Sequence, residues 1–346
     1  MTTNRTGGLP VYVERGGECV YCPPGVATGV RMYAFIVKGD ALALAKMFDR
    51  YLNVPSDGAV QFEPAGELFV LNFTTLNHVG ALTPPDVERG YFTESEVAIW
   101  SLGYDRVSDT YATFVPYMVV DQGAAMAMGR EVYGFPKQLG EVDMPPEAGP
   151  YDAFQLRVRG VQQWGADQRF DLHPLVDITQ TDTDVPPPDD GFGSQLELVL
   201  AMSKLAQEDP GLGSAVRLPG VGSKDRRNAS GPDMLDALEL LTDETLPMVF
   251  LKQVRDGRMP LRACYQAVQR ADFVVTAYRG ATRLPGTYRI DIHDLANEPI
   301  RRDLGIPAGP LEPVDAFVVD FDFTLSVAEE IWRSDPPPRV SAARST

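Results

Sequence analysis

Apolar and polar residues alternate along much of the chain, and this period of two indicates half-buried strands. The alternating segments are Met32–Val37, Glu67–Phe73, Glu96–Ser101, Tyr111–Val120, Ala153–Arg159, Met248–Val254, Ala271–Ala277 and Ala316–Leu325. Short polar or glycine-containing links join neighbouring segments, which favours antiparallel meanders over parallel units with crossover helices. The pattern therefore predicts an α+β chain that is predominantly antiparallel β.

Helical patterns are fewer. Asp40–Tyr51 is rich in alanine, and Asp40 is placed to cap it. A second helix, Ala124–Glu131, must end before Pro136, because proline cannot continue a helix. Two more are predicted over Ser194–Gln207 and from Ser230 to Leu241, where proline follows shortly after a serine cap.

The strand pattern is interrupted between residues 179 and 246. This region opens with an Asp/Thr/Pro cluster at 181–190 and contains a glycine-rich stretch at 211–222. We interpret it as an insertion with two short helices, serving as a lid or an oligomer contact. A partly disordered surface excursion is the alternative. We expect a single domain over residues 1–346 with a disordered tail at 336–346.

Composition narrows the class of protein. The chain has 346 residues, of which 44% are hydrophobic and 23% charged, with a net charge of −17. These values predict a globular protein with a sizeable core, and the acidic balance argues against nucleic-acid binding. The first eight residues lack the apolar segment of a signal peptide, and no apolar run is long enough to span a bilayer. We therefore expect no membrane association.

Cysteine and histidine usage bears on location and metals. Three cysteines cannot form a disulfide framework, which suits a reducing cytoplasm. Cys19 and Cys22 form a C-x-x-C pair, but the sequence contains no second one, and His78, His173 and His293 have no ligand spacing. We expect a cytoplasmic protein that holds no metal and needs no cofactor.

The segment Gly129–Gly140 carries the candidate chemistry. It places Lys137 directly after Phe135 and Pro136, in otherwise apolar surroundings. A lysine in an apolar cavity loses its charge readily, and a neutral amine attacks a ketone to form a Schiff base. Taken alone, a lysine after a proline is more often a solvated turn residue. Neighbouring motifs decide between these readings.

The lysine segment resembles the active-site motif of the acetoacetate decarboxylase family, R-E-x-x-x-[FY]-P-K-K. Lys137 takes the place of the Schiff-base lysine, and Gln138 replaces the second lysine. Upstream, residues 90–95 are similar to the family's C-Y-T-E-S segment, which makes Glu94 the counterpart of a cavity glutamate. Downstream, residues 278–284 are similar to its W-x-G-P-T-R-L turn, and residues 316–332 to its last strand and helix.

The resemblance implies a large curved sheet, closed into a cone-like or barrel-like double layer around a central cavity, with a few peripheral helices. It implies that Lys137 forms the imine and Glu94 is the general acid/base, with Glu96 as a substitute on the same strand face. Phe135 and Gln138 would contact substrate. A family arginine that meets the substrate carboxylate corresponds to Arg31.

Some of these positions depart from the family's pattern. Alignment leaves Arg31 one place out of register, and one place on a strand turns a side chain to the opposite face, so both orientations stay open. The family's second glutamate falls near Asn72 and Phe73, where there is no carboxylate. Arg130 and Glu131 would form a buried pair that orients the lysine loop.

Because Gln138 is neutral, any lowering of the Lys137 pKa must come mainly from burial. The resemblance implies a lyase, in a homo-oligomer, that forms a Schiff base with a small oxo acid and decarboxylates a 3-oxo acid or performs related chemistry. A Schiff-base aldolase or dehydratase of specialised metabolism, acting on a 2-oxo acid, is the alternative. A binding protein that kept the cavity without catalysis is a further one.

Overall fold

The computed structural model describes residues 12–13, 21–147, 149–183, 191–194, 197 and 245–334. Strands account for more than half of these residues. The strands are β1 (Gly25–Lys38), β2 (Phe62–Ala81), β3 (Tyr91–Asp105), β4 (Thr110–Val120), β5 (Lys137–Asp143), β6 (Ala153–Gly160), β7 (Asp171–Asp182), β8 (Thr245–Arg255), β9 (Ala263–Arg283), β10 (Thr287–Ile292), β11 (Asp315–Leu325) and β12 (Glu329–Arg333). The helices are α1 (Ala41–Phe48), α2 (Gly123–Met128) and α3 (Ile300–Leu304).

Part of the sheet closes on itself. Strands β4, β3, β2, β1, β11, β9 and β8 follow one another as hydrogen-bonded neighbours, and β8 pairs with β4 to complete a ring. The closing pair is parallel, through Thr113 beside Met248 and Phe114 beside Val249, whereas the other pairs around the ring are antiparallel. This ring is the curved, mainly antiparallel sheet that the sequence predicted.

A second layer leaves the ring at β4. Strand β5 pairs in parallel with β4, and β6, β7 and β10 follow it outward. Phe154 of β6 packs back onto the ring, with its aromatic ring centroid 5.1 Å from that of Tyr33 and 5.2 Å from that of Phe35. The sheet therefore forms the expected double layer, with one apolar core between the layers and another inside the ring.

Successive residues of the ring strands serve different cores because strand side chains alternate between faces. On β1, Tyr33 and Phe35 belong to the core between the layers, whereas Ala34 and Ile36 belong to the core inside the ring. A shift of one residue therefore moves a side chain from one environment to the other.

The helices lie outside the sheet. Asp40 caps α1 as predicted, and its carboxylate accepts a hydrogen bond from the Ala43 backbone N–H at 2.8 Å. Leu44, Met47 and Phe48 of α1 are buried in the core between the layers.

Two local predictions are wrong. Residues 278–283 of this segment are not a turn but the last part of β9, where Gly280 has a φ of 126° beside a bulge in the β9–β11 register. The residues before Trp332 form β12, not a helix, and β12 pairs with β9. The predicted helices over Ser194–Gln207 and Ser230–Leu241 and the tail 336–346 lie wholly or largely outside the described residues. Most of the inserted excursion does too, apart from its ends, which belong to β7 and β8, and residues 183, 191–194 and 197.

Candidate active site

The loop that carries Lys137 is shaped by its glycines and proline. Helix α2 is followed by a π-helical turn, Gly129–Tyr133, which ends at Gly134 with a φ of 98°. A Cβ at Gly134 would lie 2.7 Å from the Cα of Lys252, so the turn requires glycine both for its conformation and for its close approach to β8. Pro136 prevents further helix, and Lys137 opens β5.

The backbone of Lys137 is held from two sides. It lies beside Met118 in the parallel pair of β4 and β5, and the Arg130 guanidinium donates a hydrogen bond to its carbonyl oxygen at 3.0 Å. The expectation of a buried Arg130–Glu131 pair is wrong, because both residues are exposed and the ion pairs of the described residues include none between them. Arg130 contacts the lysine loop through this backbone hydrogen bond.

The amine of Lys137 lies between two carboxyl groups. Its Nζ donates to Oε1 of Glu94 at 2.6 Å and lies 3.7 Å from Oε2 of Glu96. The side chains of Lys137, Glu94 and Glu96 are 6%, 2% and 10% exposed. Glu94 and Glu96 are two residues apart on β3, so strand alternation turns both toward the amine.

The charges of this cluster differ from the sequence-based expectation. Burial lowers the pKa of Lys137, but Glu94 and Glu96 together outweigh it and hold that pKa above its ordinary value. The expected depression by burial is therefore contradicted. Burial, followed by the nearby Glu94 carboxylate, raises the pKa of Glu96 to about 8. At neutral pH these shifts keep Lys137 as an ammonium and Glu96 as a carboxylic acid.

The cluster opens onto a cavity inside the ring, with a volume of about 590 Å³ including its mouth. Besides the three charged residues, it is lined by Tyr21, Gly25, Val26, Ala27, Leu76, Val79, Trp100, Met118, Met128, Tyr133, Phe135, Met248, Phe273, Phe323 and Leu325. Phe135, an expected substrate contact, lies in this wall, with its ring centroid 5.6 Å from Nζ of Lys137. An apolar cavity with a few convergent polar groups is the usual form of a small-molecule site.

Arg31 does not line this cavity, which corrects its expected role. Its guanidinium Nε and Nη2 donate to the two carboxylate oxygens of Asp320 at 2.8 Å each, and Nη1 donates to the carbonyl oxygen of Glu147. It shares a face of β1 with Tyr33, in the core between the layers, whereas Ala34 faces the ring interior. The register offset seen in the sequence has turned Arg31 outward.

Gln138 also lies outside the cavity lining. It follows Lys137 on β5 and therefore points to the opposite face, where its side chain hydrogen-bonds to Glu298. Glu298 is itself a buried carboxyl group, and burial raises its pKa. The expected contact between Gln138 and substrate is not supported by this position.

Sequence reasoning missed Tyr21, and it underrated Glu96. Tyr21 lines the cavity, and burial, with Tyr133 and Glu94 nearby, raises its pKa. It lies before the first strand, where no alternation indicates its orientation. Glu96 supplies a second carboxyl group although the position expected for one holds Asn72, whose Oδ1 accepts a hydrogen bond from the Thr74 hydroxyl. Alternation had placed Glu96 beside Glu94, which was the available signal.

The described part of the chain offers neither a metal-binding cluster nor a membrane-spanning helix. None of its acidic, histidine or cysteine side chains form a group of three or more that is arranged to hold a metal ion. Among the helices that the structure describes, none combines the length and the apolar character needed to cross a membrane.

Known structures share this fold. An acetoacetate decarboxylase from Legionella pneumophila is 14% identical, with a TM-score of 0.57 over 96% of this chain and 99% of that one. A second acetoacetate decarboxylase is 17% identical, with a TM-score of 0.53 over 92% and 93% of the two chains. The enduracididine biosynthesis enzyme MppR, complexed with pyruvate, is 15% identical, with a TM-score of 0.52 over 91% and 93%. At these identities the likeness concerns the fold.

Sequence comparison gives the family. The curated proteins contain no match to this chain. The family model described as acetoacetate decarboxylase (ADC) matches residues 16–185, which include Glu94, Glu96 and Lys137. The match thus covers the strands and the loop that build the lysine–carboxylate cluster. The family match over residues 16–185 and the shared fold are consistent with a divergent member of the acetoacetate decarboxylase-like family.

Proposed function

We propose that the chain is a lyase that forms a Schiff base between Lys137 and a small carbonyl substrate. The observation that carries this proposal is the placement of a buried amine between two carboxyl groups at the wall of an apolar cavity. A lysine held in this way binds a carbonyl carbon covalently, with acid/base groups at hand for each proton transfer. The family match and the shared fold support the same class of enzyme.

The cluster supplies every proton that the first step needs. The Glu94 carboxylate takes a proton from the ammonium, and the neutral amine adds to the substrate carbonyl to give a carbinolamine. A carboxyl group then protonates the hydroxyl, which leaves as water, so that ammonium and ketone become iminium and water with no net change in charge. The raised pKa of Lys137 is compatible with this sequence because Glu94 accepts its proton across 2.6 Å.

The iminium ion accepts electrons from an adjacent bond. Decarboxylation of a 3-oxo acid needs no protein base, whereas aldol cleavage, condensation and dehydration need a positioned acid or base. Because a carboxyl group with a pKa of about 8 exchanges protons readily near neutral pH, Glu96 favours the second group of reactions. Decarboxylation and non-catalytic binding are the other candidate functions.

Reductive trapping tests the proposal. The protein is incubated with a panel of small ketones and aldehydes, including oxo acids, reduced with borohydride and mapped by mass spectrometry. Lys137 should carry the adduct, and Lys137→Ala should abolish it. Lys252→Ala is the matched control, because Lys252 is another partly buried lysine, whose pKa burial lowers, and it lies outside the cavity lining. An adduct that persists in Lys137→Ala, or maps to Lys252, would contradict the proposal.

Trapping also separates an enzyme from a binding protein when it is combined with turnover. Substrates that give an adduct are tested for loss of carbon dioxide and for exchange of the hydrogen on the adjacent carbon with solvent deuterium. Exchange without carbon dioxide supports the aldolase or dehydratase chemistry, and carbon dioxide release supports decarboxylation. An adduct with neither outcome indicates binding alone.

A further inference from the structure

The described wall of the cavity carries more acidic than basic groups. Of the described residues that line it, Lys137 is the one basic side chain, and Glu94 and Glu96 are the acidic ones. The rest of this wall is aliphatic, aromatic or methionine, apart from glycine and the two tyrosine hydroxyls, of which that of Tyr133 donates to the Leu325 carbonyl oxygen. The positive charge of Lys137 is already balanced by Glu94 at 2.6 Å.

Arg31, the residue expected to meet a substrate carboxylate, is paired with another side chain instead. Both carboxylate oxygens of Asp320 accept hydrogen bonds from Arg31, on the face of β1 that points away from the ring interior. Its side chain is 19% exposed, so it is packed as well as paired. The face of β1 that points into the ring carries Val30, Ala34 and Ile36, none of which can meet an anion.

From this distribution of charge we infer that the substrate is a neutral ketone or aldehyde, without a carboxylate or phosphate group. This inference rests on the proposed imine at Lys137 and names the substrate class for that site. A carboxylate moved from water into an apolar cavity loses its hydration, and without a counter-charge this costs far more than the burial of a neutral group of the same shape. Burial of apolar substituents against Phe135, Met248 and Phe273 would instead favour binding.

The charge balance of the reaction agrees with a neutral substrate. The iminium nitrogen keeps the single positive charge of the lysine, opposite the Glu94 carboxylate. When this carboxylate removes a proton from the carbon next to the imine, the electron pair of the C–H bond forms the enamine and the iminium charge disappears. Glu94 becomes a carboxylic acid, beside an already protonated Glu96. The buried site is then free of charge, whereas an oxo acid would leave one unpaired carboxylate in it.

A pair of ketones that differ in this one charge tests the inference. In 4-oxopentanoate the carboxylate is far from the reacting carbonyl, and in 5-methyl-2-hexanone an isopropyl group of similar shape replaces it. Rates of reductive labelling of Lys137 are compared at pH 7. We expect the neutral ketone to label Lys137 about tenfold faster or more. The free energy that corresponds to a tenfold ratio is small compared with the cost of burying an unpaired carboxylate.

Each outcome has a distinct meaning. Equal labelling, or faster labelling by 4-oxopentanoate, overturns the substrate class but leaves the imine at Lys137 intact. No labelling of Lys137 by either ketone overturns the imine-forming function itself.

Variants then test whether charge is the cause. The double variant Glu94→Gln with Glu96→Gln leaves the lysine cation without a carboxylate partner, so the ratio of labelling rates should move toward 4-oxopentanoate by about tenfold or more. Glu96→Gln replaces a group that is already neutral, and the ratio should stay as in the wild type. Arg31→Ala provides an independent measurement: a selective loss of 4-oxopentanoate labelling would show that Arg31 meets carboxylates and would overturn the inference.

Discussion

The side chain of Lys137 passes directly over Gly129, and a Cβ at that glycine would lie 2.6 Å from its Cδ and 3.0 Å from its Cε. Gly129→Ala should therefore push the lysine stem aside and move its amine away from Glu94. We expect imine formation to slow roughly ten- to a hundredfold, because displacements of about 1 Å have such effects on reacting groups.

Gly123→Ala is the matched control for this change. Gly123 begins the helix that leads to the same loop, and a Cβ there would meet nothing within 4 Å. Rates of reductive trapping on both variants provide the measurement. Equal rates in Gly129→Ala and Gly123→Ala would show that the lysine stem adjusts without moving its amine.

Glu94→Gln should uncouple the first step from the later ones. The amide keeps the shape of the side chain but cannot accept a proton, so turnover should fall on the order of a hundredfold, the usual effect of losing a general acid or base. Imine formation should slow but survive, because Glu96 lies 3.7 Å from the amine and, without the Glu94 carboxylate that raises its pKa, can accept the lysine proton instead. Turnover and trapping are measured side by side, and an unchanged kcat would return Glu94 to a structural role.

Glu96 should make stability depend on pH. Its pKa is raised from 4.5 to about 8 in the folded protein, so the folded state holds a proton that the unfolded state releases between these values. The free energy of unfolding should therefore decrease as pH rises from about 4.5 to about 8. Glu96→Gln cannot ionise and should show a smaller decrease. Urea unfolding of both proteins at several pH values checks the difference, and parallel curves would contradict the assigned shift.

Gln138→Lys restores the lysine pair of the family motif, yet it should leave the pH profile of imine formation unchanged. The new ammonium would lie beside Glu298, on the face of β5 opposite Lys137, rather than next to the reacting amine. Its charge should instead stabilise the ionised form of the buried Glu298. A trapping profile that shifts to lower pH would mean that residue 138 faces the cavity after all.

The strands of the ring were predictable because their apolar residues alternate with period two, and the cap of α1 was predictable because Asp40 precedes a run of alanine and leucine. The register problem at Arg31 was visible as well. Its outcome was not, since both faces of β1 carry apolar residues and the pattern does not say which face meets the ring interior.

The outer layer was harder to predict. Strand β5 has Lys137 as its one fully buried residue and otherwise alternates between partly buried and exposed positions, so it lacks an apolar signal. That is why Gln138 was treated as a neighbour of the lysine rather than as a residue on the opposite face. The pKa of Lys137 was misjudged for another reason: two carboxyl groups brought to the amine by β3 decide its charge, and burial alone does not.

Each ring strand contributes alternate residues to two cores. The residues that shape the substrate cavity are therefore different from the residues that hold the two layers together. Ala34 and Ala98 flank Asn72 on neighbouring strands and face the ring interior, whereas Phe35, Phe73 and other residues next in sequence hold the outer layer. A mutational library confined to inward-facing positions would vary the size and polarity of the chamber and leave the interlayer aromatic packing in place. With this arrangement, the cavity can change to accept new carbonyl compounds without the loss of stability that most core substitutions cause.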